Sequence, residues 1–556
     1  MPVLKLRVEK LTHLVGRRLS SEELAEKLAS LGLSVEEVSD EVIRVEYNPN
    51  RPDYSSTHGV ARALKAILGI SRGMPRYRPR PYKITVYVKP DVEAVRPYIA
   101  CAVIRGARIG VDDLDELIAM QEDLHWVLGR NRRVVAIGLH DLKSIKEPFT
   151  YTVVGPKSVR FTPLKSMREM TPEEIVKEHE IGRKYGHLVS NKFPTLLDSE
   201  RRVFSMPPII NSRITEVKPG AHDIFIDVTG LDETKVGQAL NILVTAFADD
   251  GGVIERVRVV YPEMERIYPD LRPGSMILDP GYAGSLLGLK LSTKAVRRLL
   301  AMSCMDTKVS GRGRLKVWFP AYRTDIIHPV DLVEEIAIAY GYSRMNPVLP
   351  REVTYGSFLP ATEYLEKVSE ILIGMGFTEV MNLLLTNEEA EYSILLEPET
   401  PHVRLANPAT REYTMLRTSI IPSLLHNLAT NQDNQYPQRI FEAGVIVMLS
   451  EETPEQAVKR RRLGVATCHA EADFTEMRRV SDELLRLLDV DIIYRPSMRP
   501  AFILGRCASI TSNGVEVGVL GEISPEVLSR LGLNMPTAVM ELDLDFLMSG
   551  VKHKNP

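Results

Sequence analysis

The chain has 556 residues, 44% of them hydrophobic, with 70 Lys plus Arg against 73 Asp plus Glu for a formal net charge of −3. That near balance excludes a global field driving the protein onto nucleic acid or a membrane surface, so any polyanion must be held by local patches. No apolar leader opens the sequence and no uncharged run reaches the roughly 18 residues of a membrane span, which predicts a soluble, cytoplasmic protein of roughly three to five domains.

In chain order, residues 1–80 open with a strand-like VLKLRVE and continue into SSEELAEKLASLGLSVEEV. There Ser20 and Glu23 have the spacing of a capping box, and Leu24, Leu28 and Leu31 continue a helical apolar stripe. A turn-rich NPNRPDYSSTHG precedes a second helix, expected from Val60 to about Leu68. Ser71 to Lys83, SRGMPRYRPRPYK, reads as a Pro- and Arg-rich linker whose basic tract is either solvated or in touch with phosphate. From Ile84 the texture becomes mixed, with strands such as ITVYV and AVIRGARI around one helix, DDLDELIAMQEDLHWVL; this region is expected to span 84–262. A break at YPEMERIYPDLRPG leads to a small unit, 268–347, with the helix STKAVRRLL and the acid-rich AYRTDIIHPVDLVEEIAIAYGY. The last region, 352–556, begins with the helix ATEYLEKVSEILIGMGF and continues through strands such as RIFEAGVIVML and VGVLGEIS.

Three places carry unusual polarity. In the acid-rich stretch, Asp331 and Glu334 have the spacing of an N-cap and its N3 partner, which leaves Asp325 and Glu335 without a role. Crowded carboxylates need a shared cation, either Arg323 or Mg²⁺, a hard ion that uses one or two carboxylates and keeps most of its waters. In HDIFIDVTG, Asp223 to Gly230 reads as a strand whose period of two sets Phe225, Asp227 and Thr229 on one face. If both faces are covered, an acid and a hydroxyl lie inside, and they either complete an internal network or wait for a ligand. On the helix DDLDELIAMQEDLHWVL, Gln121 falls in the centre of the apolar stripe and Glu122 at its edge; the stripe either lines a cavity there or ends against solvent. The chain has no GxSxG, HExxH or P-loop motif, and CHAEAD at Cys468 lacks a second metal-ligand pair. The four cysteines, Cys101, Cys304, Cys468 and Cys507, show no disulfide framework and read as buried thiols. The run KRRR, Lys459 to Arg462, reads as part of a strand in preference to a phosphate cradle.

Five motifs in this order, NPNRPDYSSTHGVARAL, IGLHDL, FSMPPIIN, FIDVTG and YRTDIIHPVDLVEEIAIAYGY, resemble the β subunit of phenylalanyl-tRNA synthetase of the archaeal and eukaryotic type. The resemblance runs nearly end to end and implies an α+β multidomain fold. Its parts are an N-terminal α/β module, a mixed editing domain, a small helical and strand domain, and a degenerate class II synthetase-like antiparallel sheet with helices. It implies Mg²⁺ at Asp325, Asp331, Glu334 and Glu335, near the contact with an α subunit in an α2β2 complex. In the editing domain it implies hydrolysis of tyrosine wrongly attached to tRNA(Phe). A hydrophobic pocket rejects a ligand that merely adds a hydroxyl by only about 10², so a second pocket that senses the hydroxyl is needed. On this resemblance Asp227 accepts the phenolic O–H, with Leu196, Ser205 and Thr229 shaping the pocket, while Gln121, Glu122, Arg132 and Asn211 match positions linked to hydrolysis or to placing the tRNA end. ATP and amino-acid activation are expected at the α subunit. The alternatives are a free-standing editing hydrolase or tRNA-binding protein with a relic synthetase fold, and a purely structural reading in which every polar anomaly is a satisfied core group.

Overall fold

The computed structural model describes residues 2–311, 313–349 and 354–550. The chain forms two compact units, 1–349 and 350–556. The expected ends of the last region, residues 352 and 556, lie outside the described residues.

The first unit opens with a three-stranded antiparallel sheet in the order Val3–Arg7, Val42–Glu46, Ser34–Val38. Helices Val8–Val15, Ser21–Ser30 and Thr57–Ile67 accompany it, and Leu6, Leu11, Leu24, Leu28, Ile43 and Leu64 share one fully buried core. The Ser20 and Glu23 capping box forms in both directions. The next helix begins at Thr57 instead of Val60, because the Ser56 hydroxyl accepts from Gly59 N and caps it earlier. The tract Ser71–Lys83 is no free linker. Tyr77 Oη donates to Asp249 and accepts from Arg62, and the strand Arg80–Val88 begins inside the tract.

A ten-stranded mixed sheet dominates this unit. Next to its terminal strand Val135–Asp141 lies Ile224–Gly230, which pairs antiparallel with that strand and with Tyr98–Arg105 on its other side. All seven residues of Ile224–Gly230 are buried. One edge runs outward through Arg80–Val88, Phe149–Val154, Phe193–Leu197, Val203–Met206 and Ile210–Asn211. Helix Glu233–Asp249 packs on Tyr98–Arg105 and Ile224–Gly230, and helix Val111–Val127 packs on Val135–Asp141. The alternation in IFIDVTG thus becomes a strand paired on both sides and buried throughout, carrying one carboxylate and one hydroxyl into the interior.

The rest of this unit is an antiparallel sheet in the order Gly274–Leu278, Arg314–Phe319, Asp306–Ser310, with helices Pro280–Leu287, Thr293–Ala301 and Pro329–Tyr340. The second unit is built on a seven-stranded sheet, antiparallel except for the short Thr378–Glu379 at one edge. Neighbouring residues Ile440 and Phe441 feed two different cores, as a strand buried on both faces requires. Lys459–Arg462 lies within the strand Ala457–Cys468, where Arg461 pairs with Asp545 at 2.9 Å and Arg462 with Asp543 at 3.1 Å. The four cysteines are free and buried. Among the described residues no helix is long and apolar enough to cross a membrane.

Candidate functional site

A cavity of about 350 Å³ opens beside the strand Ile224–Gly230 of the large sheet, within the ordinary range of ligand pockets, and it is lined more by apolar than by polar surface. Six residues singled out in the sequence line it: Gln121, Glu122, Arg132, Ser205, Asn211 and Asp227. They come from the helix Val111–Val127, the turn after it, the strands Val203–Met206 and Ile210–Asn211, and the strand Ile224–Gly230.

Asp227 is almost fully buried. Its Oδ1 meets His140 Nε2 at 2.6 Å, and His140 Nδ1 meets Thr215 Oγ1 at 2.8 Å. Its Oδ2 is buried without a hydrogen-bond partner. An unmet acceptor of this kind costs about 1–3 kcal/mol, so it is a feature that a ligand donor would repair. The register puts Gly138 opposite Asp227. A Cβ at 138 would sit 2.2 Å from Asp227 Oδ1 and 2.7 Å from His140 Nε2, so the missing side chain is the space the carboxylate occupies.

Around this acid the remaining groups are held in place. Gln121 Nε2 donates to Ile137 O at 2.7 Å, which leaves Oε1 as its free acceptor. Arg132 Nη1 donates to Ile209 O at 2.9 Å and Nη2 to Glu122 Oε1 at 2.6 Å, while the guanidinium lies 4.3 Å from the Tyr185 ring centre. Its Nε is buried without a partner. Ser205 Oγ donates to Asn211 Oδ1 at 3.1 Å. Burial pushes the Glu122 carboxyl up, but the hydrogen bond with His125 and the charge of Arg132 outweigh it and bring it down to about 2. His125 Nε2 accepts from Ile137 N at 2.8 Å, so Nδ1 carries the proton that faces Glu122 Oε1. Burial also pulls the His125 pKa below its usual value.

Two of the expected pocket residues do not line the cavity. Leu196 is fully buried in the core of the sheet, opposite Ser205 and Tyr151 in register. Thr229 Oγ1 and its carbonyl both accept from the buried Arg96. Sequence reading passed over Gly138, His140, His125, Lys165 and Lys184, all of them in or against the site. A glycine and a histidine in the otherwise apolar VAIGLH were the available signal for the first two.

The four acids near the third sheet do not converge. Among the described residues no group of three or more potential metal ligands forms. Arg323 donates to both oxygens of Asp325, at 2.9 and 2.6 Å, and to Glu335 Oε1 at 2.5 Å. Arg51 approaches the same Glu335 oxygen at 3.4 Å. The expected cap is corrected as well. His328 is the N-cap and Asp331 stands at N3, its Oδ2 accepting from the backbone N–H of Ile327 and His328, while Glu334 is exposed. The cation shared by Asp325 and Glu335 is therefore a guanidinium, and a four-carboxylate cage does not fit this arrangement. A backbone turn at the helix start drew Asp331 away, and the 3.6-residue period turned Glu334 and Glu335 to different sides.

Comparison with known proteins follows the same division of the chain. A family model described as the tRNA synthetase B5 domain matches residues 276–342, and one described as the phenylalanyl tRNA synthetase beta chain CLM domain matches residues 346–544. These modules are parts of an aminoacyl-tRNA synthetase. The phenylalanine–tRNA ligase β subunit of Methanosarcina acetivorans is 39% identical over 552 residues, 99% of each chain, and that of Archaeoglobus fulgidus is 40% identical over 551 residues, 98% of each. A crystal structure of an N-terminal fragment of the phenylalanyl-tRNA synthetase β subunit from Pyrococcus horikoshii is 40% identical, with a TM-score of 0.59, over 61% of this chain and 99% of the fragment. The chain belongs to the phenylalanine–tRNA ligase β subunit family.

Proposed function

We propose that this chain hydrolyses tyrosine misattached to tRNA(Phe) in the cavity beside Asp227, while an α subunit charges tRNA(Phe) with phenylalanine at the expense of ATP, in a cytoplasmic α2β2 complex. The observation that carries the reading is the unpartnered, buried Asp227 Oδ2 at the wall of an aromatic-sized cavity. A tyrosine side chain would donate its O–H to that oxygen; phenylalanine would leave it unmet. A site that hydrogen-bonds a substrate hydroxyl rejects the analogue lacking it far more strongly than an apolar pocket rejects an added hydroxyl.

The chemistry follows from the held groups. Glu122, down at about 2 and paired with Arg132, is a poor general base at neutral pH. Hydrolysis then proceeds by a positioned water, with Gln121 Oε1 as its acceptor. Arg132 Nε–H and Asn211 Nδ2 are the donors for the oxyanion that develops on the ester carbonyl. Ser205 fixes the Asn211 amide. Lys165 and Lys184 line the same cavity and suit the phosphates of a tRNA 3′ end. In this reading residues 84–262 form the editing domain, 268–347 an interface domain, 352–556 a catalytically silent class II-like core, and 1–80 an N-terminal module. For Mg²⁺, Asp331 Oδ1, Glu335 Oε2 and the Glu334 carboxylate are without hydrogen-bond partners among the described residues, and of these Asp331 Oδ1 and Glu334, outside the Arg323 cluster, would hold the ion with water completing its shell and would supply charge neutralisation at a subunit contact.

The test is reconstitution with an α subunit, followed by assays of phenylalanine charging and of deacylation of Tyr-tRNA(Phe) and Phe-tRNA(Phe). Asp227→Ala is expected to cut the preference for Tyr-tRNA by about 100-fold or more while charging continues. Unchanged preference rejects the site. A chain that deacylates alone and never supports charging with any α subunit would favour the free-standing hydrolase.

A further inference from the structure

Arg96 lines no part of the cavity, yet it joins two of the segments that build it. It is buried, and its guanidinium donates only to neutral oxygens: Nε to Thr229 Oγ1 at 2.9 Å, Nη2 to Thr229 O at 2.8 Å and Arg132 O at 3.3 Å, and Nη1 to Arg133 O at 3.1 Å. Among the described residues no carboxylate pairs with it. Burial pulls its pKa down to about 10, against the fields of Tyr151 and Asp227, so it stays charged at neutral pH.

The loop it grips is unusual. Arg130, Asn131 and Arg132 follow one another at φ 47°, 55° and 66°, three consecutive side-chain-bearing residues in the left-handed region. Such a run persists only where its surroundings over-determine it. Here the Arg132 peptide N–H donates to His125 O at 3.4 Å, and the carbonyls of Arg132, the last residue of the run, and of Arg133 after it are held by Arg96. The same guanidinium holds the end of the strand that bears Asp227, two residues beyond that acid. The planar fork of arginine can satisfy several acceptors at once in fixed directions, which a lysine cannot.

We infer that Arg96 is a positioning residue that fixes Arg132 relative to Asp227, and that Thr229 serves the site as the anchor of this clamp instead of as a contact to the amino acid. The inference rests on the editing reading above for its consequence in catalysis, but its geometry is independent of it. A group displaced by a fraction of an ångström loses transition-state contacts sooner than ground-state binding.

The test uses the full chain assembled with an α subunit and Tyr-tRNA(Phe) as probe. Arg96→Lys, which keeps the charge and loses the fork, is expected to lower the deacylation kcat about 10-fold or more with KM changed less than about 2-fold. In an Arg132→Ala background the same substitution is expected to change kcat less than about 2-fold, because the group it positions is gone. Equal losses in both backgrounds overturn the proposal. Hydrogen–deuterium exchange at residues 130–134 supplies a reading that needs no activity: faster exchange confined to this loop is expected in Arg96→Lys and in Thr229→Val, and exchange identical to the parent overturns the proposal. Should Arg96→Lys fail to fold, Thr229→Val carries both measurements. A parent chain without Tyr-tRNA(Phe) deacylase activity removes the editing reading, while the exchange data still judge the clamp.

Discussion

At the scale of single residues, the site depends on one absent side chain. Gly138 faces Asp227 across the ladder, and the carboxylate occupies the volume a Cβ would need. Gly138→Ala is therefore expected to displace Asp227 or His140, at a cost of about 1–3 kcal/mol for overpacking a filled interior, together with loss of Tyr-tRNA discrimination. Urea unfolding and the deacylation assay check the two halves separately; a variant that matches the parent in both would mean the carboxylate points elsewhere. Asp227 itself was legible in the sequence, because an acid alternating with Phe and Thr in a strongly apolar run has few places to go but the interior. Thr229 shares that face, yet its hydroxyl is taken by Arg96, a residue 133 positions away whose partners are mostly backbone carbonyls. No pattern of side chains could announce those partners.

At the scale of elements, the helix Val111–Val127 turns one face toward the cavity through Gln121, Glu122 and His125, and its apolar stripe toward the core through Leu117 and Leu124. The polar interruption seen in the stripe is thus a cavity wall at Gln121, while Glu122, at the stripe's edge, lines the cavity and is also exposed to solvent. His125 is the element's pH-sensitive part. Its folded pKa lies below the ordinary value, so the unfolded chain binds the proton more readily than the folded one. The stability this contributes is complete above about pH 6.5, the unfolded value, and is lost as pH falls below it. Melting curves from pH 7.5 to 5 are expected to show a declining Tm that flattens in His125→Gln. Glu122 adds no step in that window, since its carboxyl, depressed to about 2, keeps its contribution until far lower pH. A melting temperature independent of pH in the parent would contradict the neutral, buried imidazole.

At the scale of the molecule, each unit assembles its own cores, and within residues 1–349 the segments are tied together by ion pairs, partly exposed at Lys10 and Arg62 and buried at Arg323. Lys10 meets Asp113 and Glu116, Arg62 meets Asp249, and Arg323 meets Asp325 and Glu335. The last cluster tests the cation directly. Arg323→Met leaves the half-buried Asp325 without its partner and the buried Glu335 with Arg51 alone, at 3.4 Å, and a loss of about 3 kcal/mol in denaturant unfolding is expected, not restored by added Mg²⁺. Recovery with Mg²⁺ would return all four acids to a metal site. The acids were conspicuous in sequence, but spacing alone left guanidinium and metal both open as the shared cation, and it is the Arg323 fork that stands between two of the acids here.

The sequence by itself determined the periodic elements, the family, and the identity of the polar residues that a folded interior must explain, because these follow from local spacing and from the cost of burying charge. Tertiary structure alone decided which of those residues meet. The cavity draws on two helices, a left-handed turn and four strands spread over about a hundred residues, and whether a buried oxygen is satisfied or waiting depends on neighbours that strand register, not sequence distance, brings within reach.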